Sequence, residues 1–290
     1  MDAQDVESLL DALPGRGTPE LYGVTGPPGD PVLLDALVGW LGARGIAVTP
    51  DRILITSGAQ QGLTVVARAF LAPRDVVLTE QHTFMGALLA FRRTGADVVG
   101  VATDHDGIEC EALEDALVRY RPKLLYLIPT FQNPTGAVLS RERRRRVRDL
   151  AARYRVPVLE SDLYGETYVD ETPPPSLKAL DQEGLVIYQG SFSKIAVPGL
   201  RVGWLVAPPG AEFPLTLAKR LEDLQTAALT QRLAGAFLVS PRLQRHLAFV
   251  RAECRVRRDA LVTGLRKHCP RLSFRIPSGG YYLWVRLPLP

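Results

Sequence analysis

The sequence predicts an α/β protein with a mostly parallel central sheet flanked by helices. Three observations carry that expectation. Short apolar runs alternate with segments of helical spacing from residue 52 to residue 206. The main polar clusters follow those apolar runs directly, where an open parallel sheet gathers its ligands. At 290 residues, with 46% hydrophobic and 23% charged, the chain is long and apolar enough for a large core.

Residues 2–13 read as a short helix ending near Pro14-Gly15, and Thr25-Gly26-Pro27-Pro28-Gly29-Asp30 reads as a loop. Leu33, Leu34, Leu37, Val38 and Leu41 recur at helical spacing, which predicts a helix over 31–43. A strand over 52–56 turns through Ser57-Gly58-Ala59-Gln60-Gln61-Gly62 into a helix reaching about Leu71. The alternation continues with strand 75–79, helix 85–94, strand 96–101, helix 109–120, strand 123–128 and helix 140–154. Strands 156–160, 185–189 and 202–206 follow. Beyond them, 212–239 and 241–268 read as two long helices, and 272–276 and 281–287 as strands around Pro277-Ser278-Gly279-Gly280. The change of pattern predicts a large domain over 1–225 and a smaller α+β unit over 226–290.

The formal charge is +4, from 35 basic and 31 acidic residues, too diffuse an excess to predict nucleic-acid binding. The run Arg141 to Arg148 reads as a solvated basic helix face, with Leu139, Val147, Leu150 and Ala151 on its buried side. Cys110, Cys254 and Cys269 are scattered and odd in number, which argues against a disulfide framework and for a reducing cytoplasm. His82, His105, His246 and His268 show no ligand spacing, so no metal is expected. The first residues are acidic where a signal peptide is basic, and no apolar run approaches membrane-spanning length, so a cytoplasmic protein is expected.

The chemistry centres on Ser191-Phe192-Ser193-Lys194 and on Arg201, seven residues after that lysine. A lysine framed by hydroxyls just after an apolar strand is expected to be buried, and burial frees an amine for Schiff-base chemistry. An arginine one short loop away clamps a phosphate with its planar fork. The strand–glycine turn–helix at Gly58 offers free backbone amides to the same anion. An aldehyde for the lysine and a phosphate for the rest fit pyridoxal phosphate.

The ordered set Ser57-Gly58-Ala59-Gln60-Gln61, Thr83-Phe84-Met85-Gly86, Asn133-Pro134-Thr135-Gly136, Asp162-Leu163-Tyr164-Gly165, Ser191 to Lys194, Pro198 to Gly203 and Pro277 to Trp284 resembles the class I/II aminotransferases of the pyridoxal-phosphate-dependent type I fold. The branch it is most similar to holds 2-aminoadipate and kynurenine aminotransferases and the aminotransferase-like domains of MocR-type regulators. The resemblance implies that Lys194 bonds the cofactor and shuttles the substrate's α-proton. It implies that Ala59, Gln60, Ser191, Ser193 and Arg201 hold the phosphate, that Phe84 stacks on the ring, and that Asn133 and Tyr164 meet its 3-oxygen. Tyr22 is expected to reach the phosphate of a neighbouring subunit, which implies a homodimer with shared sites. An aspartate against the pyridine nitrogen is part of the pattern. Asp162 is the expected residue, with Glu160 and Ser161 as alternatives, Ser161 standing where many relatives carry the aspartate.

Relatives continue well past the strand resembling 281–287, so a truncated member with an incomplete C-terminal α+β unit is expected. The activity implied is transfer of an amino group between an amino acid and a 2-oxo acid. A non-catalytic effector domain of a MocR-type regulator, or a degenerate fragment, are the alternatives.

Overall fold

The computed structural model describes residues 23–288 together with Glu7, Asp11 and Leu13. The expected helix over 2–13 lies almost wholly outside these residues, and Tyr22 lies outside them.

The strands in chain order are β1 (Ile53–Thr56), β2 (Val76–Glu80), β3 (Asp97–Val101), the short pair β4 (Thr103–Asp104) and β5 (Gly107–Ile108), then β6 (Leu124–Leu127), β7 (Val158–Ser161), β8 (Val186–Ser191) and β9 (Gly203–Val206). A seven-stranded sheet takes the order β1-β9-β8-β7-β6-β2-β3. Only β9 runs against its neighbours, β1 and β8; the pairs β8–β7, β7–β6, β6–β2 and β2–β3 are parallel. The mostly parallel sheet read from the sequence is therefore present. Its strands are apolar on both faces because helices cover both.

Those helices are α1 (Pro31–Gly42), α2 (Ala59–Phe70), α3 (Met85–Arg92), α4 (Cys110–Tyr120), α5 (Arg141–Tyr154), the single turn α6 (Leu177–Leu180), α7 (Glu212–Asp223), α8 (Ala228–Val239) and α9 (Arg242–His268). On one face Leu63, Val66 and Ala67 of α2 and Leu215 of α7 pack over Tyr126, Leu159, Ile187 and Leu205. On the other, α1 and α8 bury Leu33, Leu37 and Phe237 against Ile53, Ile55 and Trp204. Each such side chain contributes roughly 1.5–3 kcal/mol on leaving water.

The helix expected over 212–239 is two helices. Leu224 adopts φ 62°, which ends α7, and the turn is pinned from outside. The amide of Gln231 donates to the Thr226 carbonyl at 2.7 Å, and Thr25 N–H donates to Gln225 at 2.7 Å. Apolar spacing runs on across the break, so periodicity alone joins the two. The final strands are also shorter than expected: β10 (Ser273–Phe274) and β11 (Val285–Arg286). Between them the Ser278 carbonyl accepts from Val169 N–H at 2.8 Å and Gly279 bridges Tyr168, so the segment docks on the loop that follows β7.

Candidate active site

The carboxyl ends of β1, β2, β6, β7 and β8 open on one edge of the sheet, and the expected site residues among those described gather there. Gly58 precedes α2 with φ 83°, the left-handed region that glycine tolerates. A Cβ at Gly58 would lie 2.4 Å from Nη2 of Arg201. The guanidinium therefore rests directly on the turn that presents the amides of Ala59 and Gln60. Positive charge and the positive end of a helix converge there, an arrangement that an anion relieves.

Two hydroxyls complete the cup. Arg201 Nη1 donates to Ser193 Oγ at 3.4 Å, and Ser191 Oγ donates to Ser193 Oγ at 3.1 Å. The turn is anchored from behind by Asp223, which accepts from Ser57 Oγ at 3.0 Å and Gln61 Nε2 at 2.7 Å and pairs with buried Lys219. Burial acts to raise the Asp223 carboxyl, but Lys219, Gln61 and Ser57 hold it below its ordinary value.

Lys194 follows β8 and is half-buried, more open than expected from the sequence. Its Nζ lies 5.2 Å from the ring centre of Tyr281 and 6.0 Å from that of Tyr164. Tyr281 also donates its hydroxyl to the Lys194 carbonyl at 3.2 Å. Tyr281 and Tyr282 lie within the Pro277 to Trp284 stretch, to which the sequence assigns no role beside the lysine. Phe84 stands half-buried at the start of α3. A Cβ on Gly86 would strike its ring at 2.5 Å, and Gln60 Nε2 donates to the Gly86 carbonyl at 3.0 Å. The aromatic face is thereby tied to the start of α2.

The Tyr164 hydroxyl donates to that of Tyr282 at 3.4 Å, and the Asn133 side chain lies close enough to act on its titration. Burial raises the Tyr164 hydroxyl far above its ordinary value. The loop carrying Asn133 is shaped by the Gln132 side chain, whose Oε1 accepts from Thr135 N–H at 2.9 Å and whose Nε2 donates to the His82 carbonyl at 2.7 Å.

Beneath that loop Glu80 is 3% exposed and accepts from Ile128 N–H at 3.2 Å and Gln132 Nε2 at 3.2 Å. Burial pushes its carboxyl from 4.5 up to about 7. A carboxyl raised by folding binds more protons folded than unfolded between those values. Its contribution favours the fold at low pH and is lost as pH rises through that window. Glu80→Gln is expected to remove this loss, gaining roughly 3 kcal/mol on the native chain between about pH 5 and 8. Urea unfolding at both ends of that range measures it; a pH-independent difference would contradict it.

The three residues at the end of β7 part company. Glu160, 0% exposed, accepts from Leu177 N–H and Lys178 N–H at 2.8 Å each, capping α6, with Arg144 Nη1 at 3.9 Å. Asp162 accepts from the Tyr188 hydroxyl at 3.0 Å and from Gly165 N–H at 3.2 Å, and burial raises its carboxyl. Ser161 lies on the opposite face, where its hydroxyl donates to Gln189 Oε1 at 3.3 Å. Gln189 in turn donates to the Ala59 carbonyl at 2.7 Å, directly behind the anion cup.

The basic run also departs from expectation. Arg144 is 0% exposed, donating to the Leu139 and Pro129 carbonyls at 2.8 Å each and to Thr130 Oγ1 at 2.9 Å. Its neighbours Arg141, Arg145 and Arg146 do form an open face, as read from the sequence. Among the described residues, Asp104, His105 and Asp106 bring metal-type donors together, but Arg143 and Arg275 already pair with both carboxylates. No helix among the described residues is long and apolar enough to cross a membrane.

Residues 2–290 match the family described as aminotransferase class I and II. The 2-aminoadipate transaminase of Thermus thermophilus is 40% identical over 253 residues, covering 85% of this chain and 63% of the relative. An uncharacterised HTH-type transcriptional regulator of Bacillus subtilis, YisV, is 36% identical over 260 residues, covering 89% of this chain and 54% of the relative. The chain thus spans 54% and 63% of the length of these two relatives. Among solved structures, the kynurenine aminotransferase of Pyrococcus horikoshii superposes with a TM-score of 0.92 at 35% identity, covering 99% of this chain and 73% of that one. The α-aminoadipate aminotransferase LysN of T. thermophilus, solved with N-(5'-phosphopyridoxyl)-L-leucine, superposes with a TM-score of 0.91 at 35% identity, covering 98% of this chain and 73% of that one. With this fold and these relatives, the chain belongs to the aminotransferase class I and II family.

Proposed function

We propose that this chain binds pyridoxal phosphate and transfers amino groups between an amino acid and a 2-oxo acid. The observation that carries the reading is the convergence of Lys194 with an anion cup at one sheet edge, facing the Asn133–Tyr164 pair. Arg201, Ser191, Ser193 and the amides of Ala59 and Gln60 hold the phosphate. Phe84 supplies an apolar face for the ring, and Asn133 and Tyr164 orient its 3-oxygen. When bound, the cofactor supplies an electron sink for a substrate carbanion. Lys194 Nζ moves the proton, held near the reacting carbon by the rings of Tyr164 and Tyr281.

A homodimer belongs to the same reading. Met85, Leu89, Phe213, Leu217 and Leu221 leave apolar side chains exposed on α3 and α7, which flank α2. Tyr22 is then the residue offered to the partner's phosphate. A cytoplasmic location fits the free thiols of Cys110, Cys254 and Cys269. A division after residue 225, with the smaller unit beyond it, is supported by the turn at Leu224.

The test is purified chain with pyridoxal phosphate, an amino-acid panel and a 2-oxo acid acceptor. Appearance of the donor's 2-oxo acid supports transfer, and cofactor bound without turnover points to the second reading. That second reading is an effector domain of a MocR-type regulator, favoured by relatives that include HTH-type regulators such as YisV and YdfD of B. subtilis. Gly58→Ala tests the cup itself. The strained backbone and the contact with Arg201 are expected to weaken cofactor affinity by about tenfold or more, read by absorbance titration.

A further inference from the structure

In pyridoxal phosphate the carbon bearing the aldehyde lies between the carbons bearing the phosphate arm and the 3-oxygen, and the ring nitrogen lies opposite it. With Lys194, the Arg201 cup and the Asn133–Tyr164 pair taking those three substituents, the nitrogen faces away from Lys194, toward the carboxyl end of β7. Glu160, Ser161 and Asp162 are the side chains there. Successive strand side chains alternate between faces, so the neighbours of Ser161 on β7 point away from it. The hydrogen bonds agree. Glu160 accepts from the amides of Leu177 and Lys178, and Asp162 from the Tyr188 hydroxyl and Gly165 N–H, all directed away from Ser161. Ser161 pairs in register with Gln189, whose amide touches the Ala59 carbonyl, and the Tyr126 hydroxyl lies beside it.

We infer that Ser161 is the residue that meets the pyridine nitrogen, and that the nitrogen is held there unprotonated. This rests on the cofactor reading above. A carboxylate against a ring nitrogen favours the charged pyridinium by its opposite charge. A hydroxyl offers no charge: it donates its proton to a neutral nitrogen and leaves that nitrogen without a hydrogen of its own. Ser161 turns from Gln189 Oε1 to make that bond, and the amide of Gln189 keeps its hold on Ala59. The nearest carboxylates, Glu160 and Asp162, point away from Ser161 and hold their own partners there, Glu160 with Arg144 also close by. The residues thus fit the phosphate, the aldehyde and the 3-oxygen, but not a protonated ring. A site built this way retains cofactor while drawing electrons from the substrate weakly.

The experiment is nitrogen-15 NMR of the full chain loaded with pyridoxal phosphate labelled at the ring nitrogen, beside its visible absorption spectrum. The expected result is a resonance in the position of unprotonated pyridine. It should be unchanged in Asp162→Asn and displaced to the pyridinium position in Ser161→Asp. A pyridinium resonance in the native chain, or one that Asp162→Asn displaces, would overturn the inference while leaving the cofactor reading intact. Absence of any Lys194-dependent absorption band would overturn the cofactor reading and this inference with it.

Discussion

Lys194→Ala is expected to end covalent cofactor retention and to lower amino-group transfer by about 10²–10⁴-fold through the lost proton shuttle alone. The side chain is half-buried and does not belong to the core, whereas its neighbours Phe192 and Ile195 do. Truncating it removes no packed apolar group, so stability should change by no more than about 0.5 kcal/mol. Loss of function in this variant therefore reports chemistry rather than unfolding. Lys194→Arg sharpens the test, because a guanidinium keeps the charge near Tyr281 and Tyr164 yet forms no Schiff base and gives up no proton at neutral pH. Both variants are expected to lack the visible band and the 2-oxo acid product, with unfolding midpoints unchanged when all chains are compared free of cofactor. A band that survives in Lys194→Ala would place the covalent bond elsewhere.

Much of this site was legible in the sequence because a parallel sheet sends whatever follows its strands to one edge. Gly58, Phe84, Asn133, Tyr164, Ser191 and Lys194 each follow a strand that apolar runs reveal, so their meeting follows from topology. What was not legible depends on single backbone angles and on side-chain direction. The break at Leu224 lies within an uninterrupted apolar periodicity, and only its φ of 62° and the hydrogen bonds around it divide α7 from α8. At the end of β7 a sequence shows two acids and a serine but not which one faces the cup. The side-chain partners separate the three, with Tyr188 holding Asp162 and Gln189 holding Ser161. Tyr281 is far from Lys194 in sequence, and although Pro277 to Trp284 belongs to the ordered motif set, its residues do not reveal that the loop folds back onto Tyr168.

Arg144 is the residue whose loss should cost the fold most. It stands in a run of arginines that otherwise faces water, so charge patterning hides it. Yet its guanidinium is enclosed, and burial depresses its basicity while Glu160 acts to restore it. Burial also pushes the Glu160 carboxyl up to about 7, Arg144 opposing that rise. Arg144→Met keeps the helix and fills much of the volume but leaves Glu160 a buried charge with only two backbone amides. Breaking a buried pair on one side costs about 3–5 kcal/mol, and a loss of that size is expected in urea unfolding near pH 8. Removing the cation raises the Glu160 carboxyl further. The sign follows from linkage: a raised carboxyl favours the folded state where it is protonated, so the deficit should shrink as pH falls below about 7. Adding Glu160→Gln removes the stranded charge and should recover part of the loss at pH 8, a non-additivity that double-mutant analysis reads directly. The variant carries a second signature. Arg144 also holds the Pro129 carbonyl and Thr130 Oγ1, at the root of the loop that presents Asn133. Restoring stability through Glu160→Gln should therefore leave cofactor affinity impaired, because the loop is still untethered. If affinity recovers together with stability, Arg144 serves the core alone and the Asn133 loop holds its shape through Gln132 and Glu80.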